Sequence, residues 1–213
     1  MNSAAEFCAA LPEPHAILGL RLLPLSLGRY RLLKRFGCPF VDDDLKEIGL
    51  SELTSELFFA LLVCGFPVAE FKALLDSPKQ LAKEAKRFGK AAGRIIKRDR
   101  YFNILEHVAA FQRYLNEGSA APWVVLSVQD GSDVSMAHWS SSIEVTLRAK
   151  VGWTQAEVDE EPLTKALADF FQFAEGEGMV RLYDPKVFQD MQVEARANGE
   201  AMEKILQELD HGA

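Results

Sequence analysis

The chain has 213 residues, of which 48% are hydrophobic and 26% charged, and its formal net charge is −7. This composition is ordinary for a soluble globular protein with one well-buried core or two small ones, and the net negative charge argues against a general nucleic-acid binder. The three cysteines are widely spaced and no apolar run reaches the ~20 residues of a membrane span, so we expect a cytoplasmic protein without disulfides or a membrane segment.

The N-terminal part is predicted to change from a loose arm to a helix. Residues 1–14 contain two prolines that disfavour helix, and they are interpreted as an arm. Residues 16–25 are rich in Leu and Ile without a charged face, which indicates a strand or an extended segment. Residues 26–36 place apolar side chains at helical steps, with Gly37 as the predicted end and Arg29 on the basic, solvent-exposed face.

Three neighbouring aspartates, Asp42, Asp43 and Asp44, suggest a metal site, since hard cations bind several carboxylate oxygens. Their spacing lacks the glycine and the glutamate of a calcium-binding helix–loop–helix, so a solvated loop that caps the next helix is favoured and no metal is predicted. That next helix, over residues 51–63, is apolar on more than one face, which indicates burial from several sides. A shorter helix is predicted over residues 68–75.

A basic amphipathic helix is predicted over residues 79–100, where nine Lys and Arg side chains are opposed by two carboxylates. It can be a solvated helix face, a docking surface for an acidic partner or for the acidic remainder of this protein, or a contact with nucleic acid or an anionic membrane. The solvated face is favoured and the last interpretation least, so no membrane partner is predicted. The candidate partner-binding residues on this helix are Lys83, Lys86, Arg87, Lys90 and Arg94.

The helix is predicted to continue over residues 101–115, after which the composition of the chain changes. Residues 119–138 combine a short run of β propensity with a polar stretch, so they are interpreted as a linker or an extended arm. This change divides an N-terminal helical domain, 1–118, from a C-terminal helical region, 139–213. The whole chain is predicted to be mainly α, an irregular helical bundle with a short extended segment near 120–135.

Two helices joined by a short turn are predicted in the segment Trp139–Leu182. Between them, Thr154 and Glu157 have the spacing of a capping box, which starts a helical turn by satisfying free amides. The second helix follows Pro162, and the carboxylates of Glu160-Glu161 are expected to face the positive end of its dipole. Its apolar residues recur at three- and four-residue steps, and two glycines end it.

The last predicted helix, over residues 186–209, has few large apolar side chains and is interrupted by an Asn-Gly pair. A poor apolar face of this kind indicates partial exposure, or order that is gained only on a partner.

The sequence contains no recognisable catalytic or cofactor site. It has no phosphate-binding glycine loop, no nucleophile elbow and no histidine pair at zinc-ligand spacing. The adjacent carboxylates of Glu160 and Glu161 precede a helix, which favours a structural role over acid–base chemistry. We therefore predict a protein that is not an enzyme and that has no catalytic residue and no cofactor.

Four segments, taken in order, carry a resemblance to a known family. They are LSLGRYRLLKRFGCPF followed by an acidic loop, ELFFALLVCGFPVAEF, a basic segment that ends in FQRYLNEGSAAPW, and VGWTQAEVDEEPLTKALADFFQFAEGEGMVRL. In this order they resemble the tail assembly chaperones encoded in the tail-gene clusters of tailed phages and prophages. The resemblance implies a binding function without catalysis, because such chaperones keep the long, hydrophobic tape-measure protein soluble in the host cytoplasm while tail subunits polymerise around it.

A chaperone for a long amphipathic helix needs apolar grooves between its own helices. Aromatic side chains dominate interface energies, so the candidate groove anchors are Trp139, Trp153, Phe170, Phe171 and Phe173. Packing of these rings within their own domain is the favoured alternative. The implied partner is a protein client, the tape-measure protein or another tail protein, and a homo-oligomer stays open. Two other functions also stay open: a structural neck, adaptor or baseplate subunit of a phage particle, and a nucleic-acid-binding regulator that uses the basic helix.

Overall fold

The structure, a computed structural model, describes residues 15–41, 48–121, 124–126 and 139–182. Within these residues the fold is mainly helical, which confirms the predicted fold class. Eight α-helices follow one another: α1 (Leu27–Arg35), α2 (Leu50–Gly65), α3 (Val68–Leu75), α4 (Pro78–Arg98), α5 (Ile104–Gly118), α6 (Trp139–Thr146), α7 (Gln155–Glu160) and α8 (Leu163–Gly176). The predictions for the arm at 1–14, for Asp42, Asp43 and Asp44, and for the helix at 186–209 lie outside the described residues.

Two short antiparallel strand pairs accompany these helices: β1 (Ala16–Ile17) with β2 (Leu20–Arg21), and β3 (Val124–Leu126) with β4 (Val180–Leu182). The first pair is a hairpin within the segment that the sequence predicts to be extended. In the second pair Val125 lies opposite Arg181, so β3 is tied to the chain directly after α8. The sequence predicted β3 but not its partner.

The ends of α1 and the burial of α2 follow from features that are visible in the sequence. Ser26 caps α1, because its Oγ accepts a hydrogen bond from the backbone N–H of Arg29 at 3.2 Å, and Gly37 ends the turn with a φ of 66°. Helix α2 buries five consecutive residues, 60–64, besides Leu57, and it therefore lies in the middle of the core, as predicted.

The predicted long helical run over 79–115 consists of two helices. Helix α4 ends at Arg98, and α5 begins only after Asn103, whose side chain accepts a hydrogen bond from the backbone N–H of Leu105 at 3.0 Å. Of the residues of α4, only Phe88 and Ala92 are buried, so most of this helix faces solvent.

The C-terminal helices begin and end as the sequence indicates. Helix α6 continues as a single π-helical segment, Leu147–Val151, which ends at Gly152 with a φ of 90°. The capping box of α7 is present, since Thr154 and Glu157 exchange both hydrogen bonds. Hydrogen bonds from the backbone N–H and the hydroxyl of Thr154 lower the pKa of the Glu157 carboxyl below its ordinary value.

One hydrophobic core contains side chains from both predicted parts of the chain, because it extends from Ile17 in the hairpin to Leu167 in α8. The division of the chain into domains at residues 118 and 138 stays a prediction. In the part of the chain that the structure describes, no helix combines the length and the hydropathy needed to cross a membrane.

Candidate functional site

A buried arginine joins three separate parts of the chain. The guanidinium of Arg29, whose side chain is 1% exposed, donates to the carbonyl of Phe66 at 3.2 Å, to the carbonyl of Pro24 at 3.0 Å and to the carboxylate of Glu160 at 2.5 Å. The prediction that Arg29 lies on the solvent-exposed face of α1 is therefore wrong. The side chain turns inward because oxygen atoms of three segments satisfy its donors there.

Glu160 accepts two hydrogen bonds in this network. One carboxylate oxygen binds Arg29, and the other accepts from the backbone N–H of Val68 at 2.5 Å, the first residue of α3. The sequence had suggested that this carboxylate faces the dipole of α8, but it caps α3 instead. The charge of the arginine and the positive end of α3 both stabilise it. Glu161 forms a separate pair with Lys165 at 3.1 Å, one turn along the chain. Both carboxylates therefore have structural partners.

The same junction brings two backbones very close together. The hydroxyl of Ser26 donates to the carbonyl of Asp159 at 2.5 Å, and the N–H of Leu163 donates to the carbonyl of Leu25 at 2.6 Å. A Cβ added to Gly28 would lie 2.7 Å from that same Asp159 carbonyl oxygen, so only glycine fits at this position of α1. The start of α1 is therefore fixed against α7 and against the start of α8.

An apolar groove with a volume of about 880 Å³ lies between α1, the end of α5, α6 and α8. Apolar side chains contribute from each of these walls, and none of the described lining residues carries a charge. The hydrogen-bonding groups among the lining side chains are few, mainly those of Asn116, Ser119 and Ser142. The groove can therefore bury apolar groups of a ligand, but its side chains offer little to a ligand that needs many hydrogen bonds.

Three of the five candidate aromatic anchors line this groove. Trp139 packs on Tyr30 with ring centres 4.8 Å apart, and Phe170 and Phe171 pack edge to face with ring centres 5.2 Å apart. All of these rings are partly exposed, in contrast to the closed core beneath them. Their positions on α6 and α8 bring residues that lie about thirty positions apart in sequence to one surface.

The other two candidate anchors do not line the groove. The indole N–H of Trp153 donates to Asp169 at 3.1 Å, and the ammonium of Lys165 lies 5.4 Å from the centre of the ring, so this tryptophan packs against the outer side of α8. Phe173 lies on another face of α8, because each residue advances the helix by about 100°.

The candidate basic residues of α4, namely Lys83, Lys86, Arg87, Lys90 and Arg94, are all exposed. Arg87 lies 3.7 Å from Glu84, and both side chains reach solvent. This helix lies apart from the groove, since none of its residues lines it.

The buried titratable groups of the core are inert. Burial raises the pKa of the Cys64 thiol to about 12 and raises the pKa of Tyr114 well above its ordinary value. The Tyr114 hydroxyl donates to the carbonyl of Leu23 at 2.8 Å, so this hydrogen bond has a structural role. Neither group is a nucleophile at neutral pH. Among the described residues, no three His, Cys, Asp or Glu side chains form a group that could hold a metal ion.

Comparison of the chain with protein-family models, with curated protein sequences and with solved structures finds no match in any of the three. The function must therefore be inferred from the groove, the basic helix and the family resemblance of the sequence.

Proposed function

We propose that this protein binds, without catalysis, an amphipathic helix of a client protein in the apolar groove, as a phage or prophage tail assembly chaperone would bind its tape-measure protein. The observation that supports this proposal is a groove of about 880 Å³ that includes Trp139, Phe170 and Phe171 among its walls and whose lining, as far as the structure describes it, carries no charge. A groove of this composition favours apolar anchors from a partner, and aromatic side chains give such sites most of their binding energy. We place this activity in the cytoplasm.

The small number of hydrogen-bonding side chains in the groove favours a helical occupant. An extended peptide needs partners for its backbone N–H and C=O groups, and the side chains of Asn116, Ser119 and Ser142 are too few to supply them. A helix satisfies its own backbone and presents only side chains to the groove. The preferred client segment is therefore a helix with apolar residues at steps of three and four.

The expected affinity follows from the number of side chains that such a helix can bury. Each fully buried Leu or Phe contributes about 1.5–3 kcal/mol. Three or four of them contribute roughly 4.5–12 kcal/mol, which is comparable to the association cost of about 4–15 kcal/mol. We therefore expect weak binding to a single client helix, with a dissociation constant well above the micromolar range where the excess is small. A long client with repeated apolar stripes would engage several copies, and avidity would then strengthen the complex.

Co-expression with the longest helical protein encoded near this gene tests the proposal. The wild-type chain should increase the soluble fraction of that client, and Phe171→Glu should abolish the increase because it places a charge in the groove. The matched control is Val145→Glu, on α6, where the side chain is 65% exposed and lies outside the groove. Circular dichroism verifies that both variants are folded. A client that stays equally soluble with Phe171→Glu would refute the groove as its binding site.

Photo-crosslinking identifies the occupant directly and does not depend on a charged substitution. Benzoylphenylalanine at position 171 of the full chain should give a covalent adduct with the client during co-expression. The same group at Tyr101, which is 85% exposed and does not line the groove, should not. A dimer adduct of this chain, or a crosslink to its own residues 183–213, would each overturn the assignment of the groove to a client. A structural subunit of a phage particle would in addition remain in purified particles at a fixed copy number, whereas a chaperone would be absent from them.

A further inference from the structure

The basic side chains of α4 form one straight stripe. Successive residues of a helix advance by about 100° and 1.5 Å, so positions 79, 83, 86, 90, 94 and 97 share an arc of roughly 80° and extend over about 27 Å. Each of these positions is Lys or Arg, and each is exposed. The single carboxylate within the helix, Glu84, lies about 120° away from the centre of this arc. The cations therefore follow one line on the surface with no acidic side chain among them.

The stripe has no internal counter-charge in the described part of the chain. None of its six cations, Lys79, Lys83, Lys86, Lys90, Arg94 and Lys97, forms an ion pair there, and the one ion pair of α4 joins Arg87 to Glu84 beside the stripe. Residues 78–100 carry nine basic and two acidic side chains, a net of +7 in a chain of net −7. At physiological ionic strength charges are screened over about 8 Å, so acidic side chains farther than this from the stripe contribute little to its local field.

The apolar side of α4 is already used inside the protein. Phe88 packs on Phe58 with ring centres 5.1 Å apart, and Ala92 is fully buried. A helix that binds a membrane would insert this apolar side among the lipids. Because Phe88 and Ala92 at the centre of this side are buried in the protein, its insertion into a bilayer is disfavoured, and the cationic face is the more accessible one for a partner.

The composition of the stripe favours nucleic acid over an acidic protein. Five of its six cations are Lys, which is depleted in protein–protein interfaces and acts as a point charge, whereas Arg is preferred where carboxylates are bound in bidentate geometry. A line of such cations matches the regular charges of a phosphate backbone. Tyr101, 85% exposed just beyond the end of the helix, could stack on a base of a single strand.

We propose that the exposed stripe of α4 binds the phosphate backbone of nucleic acid without sequence specificity, at a site separate from the client groove. Binding of this kind has micromolar or weaker affinity near physiological salt, and it weakens steeply as salt increases because bound counterions are released. With six cations the slope of log K against log salt can reach about −5 for duplex DNA, at roughly −0.9 for each phosphate contact.

Fluorescence anisotropy with a labelled duplex and a labelled single strand of mixed sequence, titrated with the full chain at several salt concentrations, tests the proposal. Lys86→Gln with Lys90→Gln should reduce the magnitude of the slope by about 2, since two contacts are lost. The matched control is Arg148→Gln with Lys150→Gln, which changes the net charge equally at two exposed residues outside α4 and should leave the slope unchanged. Tyr101→Ala should weaken single-strand binding about fivefold or more and leave duplex binding unaltered.

Several results would overturn the proposal. Absence of binding at low salt removes the site, and an equal slope for the α4 variant and its control places the contact elsewhere. Competition by poly-glutamate at an equal concentration of charge would assign the stripe to an acidic protein partner, and binding to vesicles of anionic lipid that matches the DNA affinity would assign it to a membrane surface. Lys86→Gln with Lys90→Gln should still keep the client soluble during co-expression, so failure of the groove and failure of the stripe can be told apart.

Discussion

Replacement of Glu160 by Gln should destabilise the fold much more than the same change at its neighbour. The two carboxylate oxygens of Glu160 accept from the Arg29 guanidinium and from the backbone N–H of Val68, both at 2.5 Å. A glutamine has one acceptor oxygen and an NH2 group, so one of these two donors must lose its partner. Hydrogen bonds to charged groups contribute about 1.5–3 kcal/mol, and the Glu160 side chain is 39% exposed, so water will replace part of the loss. We expect a decrease of about 2 kcal/mol in the free energy of unfolding.

The matched control is Glu161→Gln. Glu161 pairs with Lys165 at 3.1 Å, and their side chains are 37% and 48% exposed, so this surface pair should contribute about 0.5 kcal/mol or less. Both variants replace a glutamate by a glutamine, and the two positions are adjacent in the sequence. Urea unfolding followed by far-UV circular dichroism at neutral pH measures both, and equal m-values would establish that the unfolded states are comparable.

Arg29→Met completes a double-mutant cycle with Glu160→Gln. Alone, the arginine change removes a buried guanidinium and leaves the carbonyls of Pro24 and Phe66 without their donor, so it should cost about 3 kcal/mol or more. Because each single change also disturbs the other partner, the double variant should lose at least about 1 kcal/mol less than the sum of the single changes. Strict additivity, or a Glu160→Gln variant as stable as Glu161→Gln, would refute the network as a coupled unit.

Three further predictions use the same unfolding assay or a simple extension of it. Gly28→Ala should destabilise the fold by about 1–3 kcal/mol, because the new Cβ would meet the backbone of Asp159 at 2.7 Å. Its control, Gly89→Ala, lies in open space on α4 and should stabilise the fold by up to about 1 kcal/mol. Equal effects of the two changes would contradict the close approach at Gly28. Glu157→Gln should reduce the free energy of unfolding near neutral pH. Because the pKa of Glu157 is lowered in the folded state, the difference from wild type is present above the unfolded pKa and should vanish as pH falls through the folded pKa. A difference that persists in acid would refute the capping charge as its cause. Cys64, with its pKa raised to about 12 by burial, should resist iodoacetamide in the native state and react in urea, as peptide mass spectrometry of the Cys64 fragment reports; rapid native labelling would mean that this part of the core opens.

Local signals in the sequence predicted where helices begin and end. Ser26 and Gly37 mark the ends of α1, and Thr154 with Glu157 forms the predicted capping box, because these contacts are made within a few residues of the chain. Helix α3 matches its prediction residue for residue. The break between α4 and α5 was missed, since the apolar steps continue across it and only the side-chain cap of Asn103 reveals the new start.

The long-range features could not be predicted from patterns in one sequence. Arg29 has neighbours of the same charge along α1, and that pattern indicates a solvated face; its burial depends on Pro24, Phe66 and Glu160, which the fold alone brings together. The groove has the same origin, because its walls come from four helices. The sequence selected five aromatic side chains as candidate anchors, and three of them, Trp139, Phe170 and Phe171, line the groove. The Trp153 contact with Asp169 gave no signal in the sequence.

The buried polar network and the apolar groove are connected through the ends of two helices. Arg29 and Glu160 fix the start of α1 against α7, and the hydrogen bond from Leu163 to Leu25 fixes the start of α8 at the same place. Tyr30 and Phe171, on these two helices, both line the groove. A buried ion pair adds little net stability compared with well-packed apolar side chains, but it requires one arrangement of its partners. We therefore expect its main contribution to be a preformed groove, since walls that are already in place would reduce the ordering cost of binding the proposed client helix.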